Sequence, residues 1–151
     1  MTQETIAVVI PCFRVSDHIL EVLRTLPPWI DAIYCIDDCC PEQSGALIRR
    51  QVSDPRVRVL THKINQGVGG AMITGFKAAV TDGHALIVKM DGDGQMDPQH
   101  LPRLINPIRS GQADFTKGNR FYDLQALKQM PLVRRIGNFG LTLLTKVASG
   151  H

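Results

Sequence analysis

Three acceptor side chains, Asp91, Asp93 and Gln95, alternate along VKMDGDGQMD (residues 88–97), directly after an apolar run at 85–88. At that spacing the end of a strand and the turn after it aim several oxygens at one point. Two carboxylates held so close repel each other, and a hard divalent cation with oxygen ligands lets both stay ionised. Gly92 and Gly94 allow the backbone to bend between them. The chemistry expected here is a Mg²⁺ or Mn²⁺ site that receives a diphosphate. Blander readings compete with it, because Asp/Gly-rich turns after strands are commonly just solvated loops. An EF-hand calcium loop fits the alternation only: counting from Asp91, the sixth position is Met96 rather than Gly, and the twelfth is Pro102 rather than Glu. Asp97 before Pro98 has a structural explanation as a helix N-cap.

The elements that must position this stretch form an alternating series. Residues 6–11 (IAVVIP) are a short, β-branched apolar run, the mark of a strand buried on both faces. Ile19, Val22, Leu23 and Leu26 then recur at helical spacing until Pro27-Pro28 stops them. A second strand over 32–36 ends in Asp37-Asp38, a helix over 41–52 is closed by Asp54-Pro55, and a third strand covers 57–60. A loop over 62–70 leads into a helix to about Thr81, and a fourth strand covers 85–90. This βαβ pattern predicts a mainly parallel sheet with helices on both faces, whose ligands bind beyond the carboxyl ends of the strands. Pro11 to Arg14, Asp37-Asp38, the loop of Asn65 to Gly70, and Asp91 to Gln95 all follow strands and should gather at one edge.

Farther on, Leu101, Leu104, Ile105 and Ile108 outline a helix that Pro102 and Pro107 should break or bend. Residues 114–121 (DFTKGNRF) read as a short strand with a polar turn. Residues 132–147 place Val133, Ile136, Gly140, Leu143, Leu144 and Val147 near one helical face, apolar enough to need a partner, so self-association through this helix is expected. No repeat or low-complexity segment is found.

Composition narrows the classes. At 151 residues the chain holds one domain with a real core. A net charge of +3 without a basic block gives nucleic-acid binding no support. The N-terminal MTQETIAVVIP does not read as a signal peptide, no apolar stretch approaches the ~20 residues of a membrane span, and a cytoplasmic location is the default expectation. Cys12, Cys35, Cys39 and Cys40 lack the paired spacing of a zinc site and read as free thiols in a reducing compartment, with Cys35 in the core.

The stretch Asn65 to Ala71 (NQGVGGA) looks like a phosphate-cradling glycine loop, yet glycines for a tight turn and close helix packing explain it equally well. A dinucleotide fingerprint would follow the first strand, where this chain has Pro11-Cys12. Neither a P-loop Lys-Ser/Thr nor a Gly-x-Ser-x-Gly elbow is present.

Taken in order, VVIPC (residues 8–12), Asp37-Asp38, N-x-G-x-G-x-A-x-x-x-G (Asn65, Gly67, Gly69, Ala71, Gly75), M-D-x-D-x-Q (residues 90–95), G-N-R (residues 118–120) and Arg134-Arg135 with Asn138 resemble glycosyltransferase family 2. The resemblance runs from Ile6 to about Gly150 and is strongest to the polyprenyl-phosphate (dolichol-phosphate mannose synthase-like) branch. It implies an α/β GT-A fold and an inverting, metal-dependent transfer of sugar from a nucleotide diphosphate sugar to an acceptor, a polyprenyl phosphate or a glycan.

By that similarity Asp93, with Asp91 and Gln95, would hold Mg²⁺ or Mn²⁺, with Asp91 alternatively touching the ribose. Asp38 would accept the base's imide N–H, Pro11 and Cys12 would line the base pocket, and Asn65, Gly67 and Gly69 would border the nucleotide. Arg120, Arg134 and Arg135 are candidates for the diphosphate or an acceptor phosphate, with Arg120 and Asp93 assigned to catalysis; exposed arginines beside a helix start are also commonly just solvated. Two departures stand out. Pro11-Cys12-Phe13-Arg14-Val15 replaces the frequent P-x-Y-N-E, and Cys39-Cys40 replaces Gly-Ser after the Asp pair.

Relatives continue past the last helix into an acceptor-binding region, so residues 1–151 are expected to be the nucleotide-sugar-binding part of a C-terminally truncated catalytic domain. It should bind nucleotide and metal yet transfer sugar poorly, and the full-length protein would work at the cytoplasmic face of a membrane. A lipid phosphate acceptor, already anionic, needs no strong general base. The alternatives are a sugar nucleotidyltransferase, whose glycine loop would follow the first strand with a basic residue, and a non-catalytic nucleotide-binding module.

Overall fold

A computed structural model describes residues 4–118. The expected alternation is present as four strands, β1 (Ile6–Cys12), β2 (Ala32–Asp37), β3 (Val57–Thr61) and β4 (Leu86–Lys89). They form one parallel sheet in the order β3-β2-β1-β4. Between them run α1 (Ile19–Thr25), α2 (Ser44–Gln51) and α3 (Gly67–Thr81).

The two central strands are buried on both faces, which is why their sequences are continuously apolar. Alternate residues of β1 serve different layers. Ile6, Val8, Ile10 and Cys12 pack with Ile19, Val22 and Leu23 of α1 and Ile48 of α2. Ala7 and Val9 join Tyr34 and Ile36 of β2 against Ala71 and Ala79 of α3. Gly75 lets α3 lie close to the sheet: a Cβ there would come 2.2 Å from Val9 Cγ1.

Element ends follow local chemistry with two corrections. Leu26 turns extended before Pro27, as the residue preceding a proline prefers. Helix α2 starts at Ser44 rather than Pro41, because Gln43 adopts φ +53° and the Asp37 carboxylate draws in the amides of Cys40 (2.8 Å) and Gly45 (2.9 Å). Helix α3 starts at Gly67, inside the stretch expected to be loop.

After β4, Asp97 accepts from the Gln99 amide and caps a 3₁₀ turn, Pro98–His100, that leads into α4 (Leu101–Arg109). This helix tolerates both prolines. Pro102 lies in its first turn, where the missing N–H has no intrahelical partner, and Pro107 lies near its end, where the helix stops two residues later.

Through Asn106 these elements form one compact unit. From Pro107 a second unit begins; in its described part the amides of Gln112 and Ala113 close on Pro107 O (2.9 and 3.2 Å). Residues 114–118 are not a strand, in contrast to the expectation, and 119–121 of that stretch lie outside the described residues. So does the apolar helix expected at 132–147 and, with it, the proposed self-association.

Candidate functional site

The carboxyl ends of the strands do converge. An open cleft of about 810 Å³ is lined by Pro11, Phe13, Arg14 and Val15 after β1, by Asp38, Cys39 and Pro41 after β2, by Asn65, Gly67, Val68 and Ala71 at the start of α3, and by Asp91, Gly92 and Asp93 after β4. Asp38 and Asp93, expected on one rim, share this cleft.

The adjacent pair Asp37-Asp38 divides its work. Asp37 is buried and serves the turn into α2 through the Cys40 and Gly45 amides. Asp38, 2% exposed, lies on the cleft, and its Oδ1 accepts from the Gln66 amide (2.8 Å) and pairs with His62 Nδ1 (2.7 Å). Burial pushes the Asp38 carboxyl up, but hydrogen bonds from Gln66, His62 and the Gly67 amide outweigh it and hold the group below the usual carboxylate range. Asp38 is therefore ionised at neutral pH and presents only acceptors. Asn65 locks the same loop, donating to Asp38 O (3.1 Å) and accepting the Gly67 amide (3.0 Å) where Gly67 takes φ +75°.

On the other wall, Asp93 Oδ1 accepts the Gln95 amide (3.0 Å), which shapes the turn. Asp91 is ion-paired with Lys89 Nζ at 2.5 Å and takes Met96 Sδ at its amide (3.4 Å). Gly92 sits where a Cβ would press on Ile10, Val15 and Ile19, all at 3.3 Å.

The family model described as Glycosyl transferase family 2 matches residues 7–149. The chain belongs to glycosyltransferase family 2. Over 165 residues it is 28% identical to the UDP-N-acetylglucosamine–dolichyl-phosphate N-acetylglucosaminyltransferase of Methanococcus voltae, covering 100% of this chain and 66% of that protein. Over 129 residues it is 32% identical to the undecaprenyl-phosphate mannosyltransferase of Micrococcus luteus, covering 85% and 52%. The chain thus spans about half to two thirds of the length of the curated relatives it matches. The crystal structure of S. aureus TarS 1–349 in complex with UDP superposes with a TM-score of 0.61 at 16% identity, over 79% of this chain and 40% of that one, which identifies the fold as GT-A.

Within that family frame some expected site residues fall elsewhere. Cys12 does not line the cleft: it is an inward position of β1, fully buried, with its thiol donating to Ile10 O at 3.4 Å. Its thiol is pushed well up by the neighbouring Cys35 and by burial. Gly69 is exposed in the first turn of α3 and is not part of the lining, and Gln95 is exposed and reaches Asp93 through its backbone. Arg120, Arg134 and Arg135 lie outside the described residues.

Other contacts of the site are not legible in the sequence. His62 bridges Asp38 to Thr74 Oγ1, 2.8 Å from its Nε2. Arg14, read as a departure from the family pattern, adopts φ +56°, lines the cleft and holds its guanidinium 5.5 Å from the Phe13 ring centre. Lys89 carried no periodic or motif signal at all.

For a divalent cation the donor set is two hard carboxylates on one wall, Asp91 and Asp93. Among the described residues no cluster of three or more His, Cys, Asp or Glu side chains closes a metal cage. Two carboxylates suit an ion whose remaining positions are filled by phosphate oxygens and water, as Mg²⁺ prefers, and do not suit an all-protein cage. Among the described residues no helix is long and apolar enough to cross a membrane.

Proposed function

We propose that the protein binds a nucleoside diphosphate sugar in this cleft and serves transfer of the sugar, with inversion, to a polyprenyl phosphate. One observation carries the reading: Asp38, from the end of β2, and Asp93, from beyond β4, line the same cleft, open enough for a nucleotide. The named relatives, both transferases to polyprenyl-type phosphates, support the acceptor class.

In this reading the base lies against Pro11 and Phe13, and its ring N–H donates to the Asp38 carboxylate. Asn65 and Gly67 border the sugar-phosphate side. Asp91 and Asp93, with Gln95, would hold Mg²⁺ or Mn²⁺, which when bound stabilises the charge gathering on the departing diphosphate. Asp91 is shared with Lys89, so the ammonium neutralises one carboxylate until the cation arrives. Arg120, Arg134 and Arg135 are assigned to the diphosphate and the acceptor phosphate. Breaking the anomeric bond creates an oxocarbenium-like centre, and an anionic phosphate acceptor attacks it without a strong general base.

The test is product analysis. Radiolabelled UDP- and GDP-sugars are incubated with the full-length protein, MnCl₂ and polyprenyl phosphate, and the organic phase is counted. Label is expected in the lipid for one donor and is lost with Asp93→Ala. A lipid phase without label for every donor, from protein that binds neither UDP nor GDP, overturns the reading.

A further inference from the structure

Three segments distant in sequence meet at one imidazole. The His62 backbone amide donates to Asp37 O (2.8 Å), which extends the β2–β3 pairing one step beyond the strands. Its ring, with the side chain 8% exposed, lies between Asp38 Oδ1 at 2.7 Å and Thr74 Oγ1 at 2.8 Å. Thr74 belongs to α3, one residue before Gly75, where a Cβ would strike Val9 of β1.

The donor directions follow from chemistry. An ionised Asp38 can only accept, so Nδ1 carries the proton and donates to Oδ1. In the neutral ring Nε2 is then an acceptor, and the Thr74 hydroxyl donates to it. The chain Thr74 Oγ1–H to Nε2, Nδ1–H to Oδ1 leaves every polar atom of the buried ring partnered. The same Oδ1 also receives the Gln66 amide. A side chain and a backbone amide thus hold this one oxygen together.

We propose that His62, braced by Thr74, is a positioning residue for nucleobase recognition: it holds the Asp38 carboxylate in one orientation so that the group meets the ring N–H of the base. The proposal rests on the reading of the cleft as a nucleoside diphosphate site. His62 touches no substrate in it and acts only through Asp38. An Asp38 freed of the imidazole would have to be oriented on binding, and that ordering would weaken the complex.

The test is a calorimetric titration of the protein with UDP and with GDP, in MnCl₂, run as a double-mutant cycle. His62→Ala is expected to weaken the nucleotide that wild type binds by about tenfold, the range for losing a charge-assisted hydrogen bond, and Asp38→Asn by about as much. The double variant should be little weaker than either single one, because His62 has no route to the ligand except Asp38.

Thr74→Val keeps the shape and removes only the hydroxyl. It should lose about threefold in affinity, and Thr74→Ser, which restores the hydroxyl, should restore binding. His62→Ala binding like wild type overturns the proposal, and so does an effect that adds in full to that of Asp38→Asn. If wild type binds neither nucleotide, the functional reading itself fails and the proposal goes with it; if wild type binds and the His62 and Thr74 variants match it, the positioning role alone is wrong.

Discussion

Lys89 Nζ lies 2.5 Å from Asp91 Oδ1, so the last residue of β4 neutralises the first carboxylate of the Asp-x-Asp-x-Gln turn. An ammonium there does part of what a divalent cation would do, and in the proposed site the two would compete for the same oxygen. Replacing Lys89 by Met removes the competitor. Mn²⁺ affinity in the presence of UDP should then rise, by roughly 1.4- to fivefold if the half-exposed pair is worth the ~0.2–1 kcal/mol usual for such pairs. Calorimetric titration of Mn²⁺ into both proteins reads this, and an unchanged or lowered affinity means that Asp91 does not hold the cation.

Asp37 and Asp38 should separate stability from binding. Asp37→Ala abandons two buried amides, those of Cys40 and Gly45, at about 1–3 kcal/mol each. Its urea midpoint should fall well below wild type. Asp38→Asn keeps an acceptor for Gln66 and should unfold closer to wild type while losing nucleotide affinity.

The order of elements was legible because each buried strand is a continuous β-branched run and each helix repeats at its own period. The convergence of Asp38, Asn65 and Asp93 followed from topology alone. Contacts across topology were not legible. The start of α3 is hidden in the sequence because Gly67, Gly69 and Gly70 argue locally for loop, whereas the Gln66 amide is held by Asp38, 28 residues away. His62 gave no signal because its partners lie 24 and 12 residues from it. The motif points Cys12 at the cleft, but the period-two alternation of β1, counted from Val8 and Ile10, turns it into the core.

Acid should weaken the fold through two carboxylates with lowered folded-state pKa values. Hydrogen bonding to the Arg56 guanidinium, against a smaller opposing effect of burial, holds Asp54 low; for Asp38, burial raises the pKa and the Gln66 and His62 hydrogen bonds override it. Groups of this sign contribute stability that is present above the unfolded carboxylate value, ~3.9, and is lost as pH falls through the lower folded values. Urea midpoints measured from pH 6 to pH 2.5 should fall less steeply for Asp54→Asn than for wild type. Parallel curves would show that the Asp54–Arg56 pair carries no such linkage.

Alkylation should map the cleft. Cys39 is exposed on its lining, while Cys12, Cys35 and Cys40 are buried. Iodoacetamide should therefore modify Cys39 first, and saturating UDP or GDP with Mn²⁺ should slow that reaction, as read by peptide mass spectrometry. Modification at an unchanged rate in the presence of bound nucleotide would place the ligand away from the β2 end of the cleft.

Close approach of α3 to the sheet depends on Gly75. Gly75→Ala would set a methyl 2.2 Å from Val9 Cγ1, and an overpacked core of this kind loses about 1–3 kcal/mol. A melting temperature lowered by several degrees, on the order of 5 °C, is expected. The shift carries Thr74 with it, so nucleotide affinity should fall in the same variant.

In the proposed site Asp38 and Asp93 act on one bound nucleoside diphosphate, and isothermal titration of UDP and GDP with and without MnCl₂ tests this most directly. Wild type should bind one of the two, more tightly with Mn²⁺. Asp93→Asn should bind equally with and without the metal, and Asp38→Asn should lose affinity while keeping its Mn²⁺ dependence. Wild-type binding that is absent, or that neither substitution alters, would contradict it.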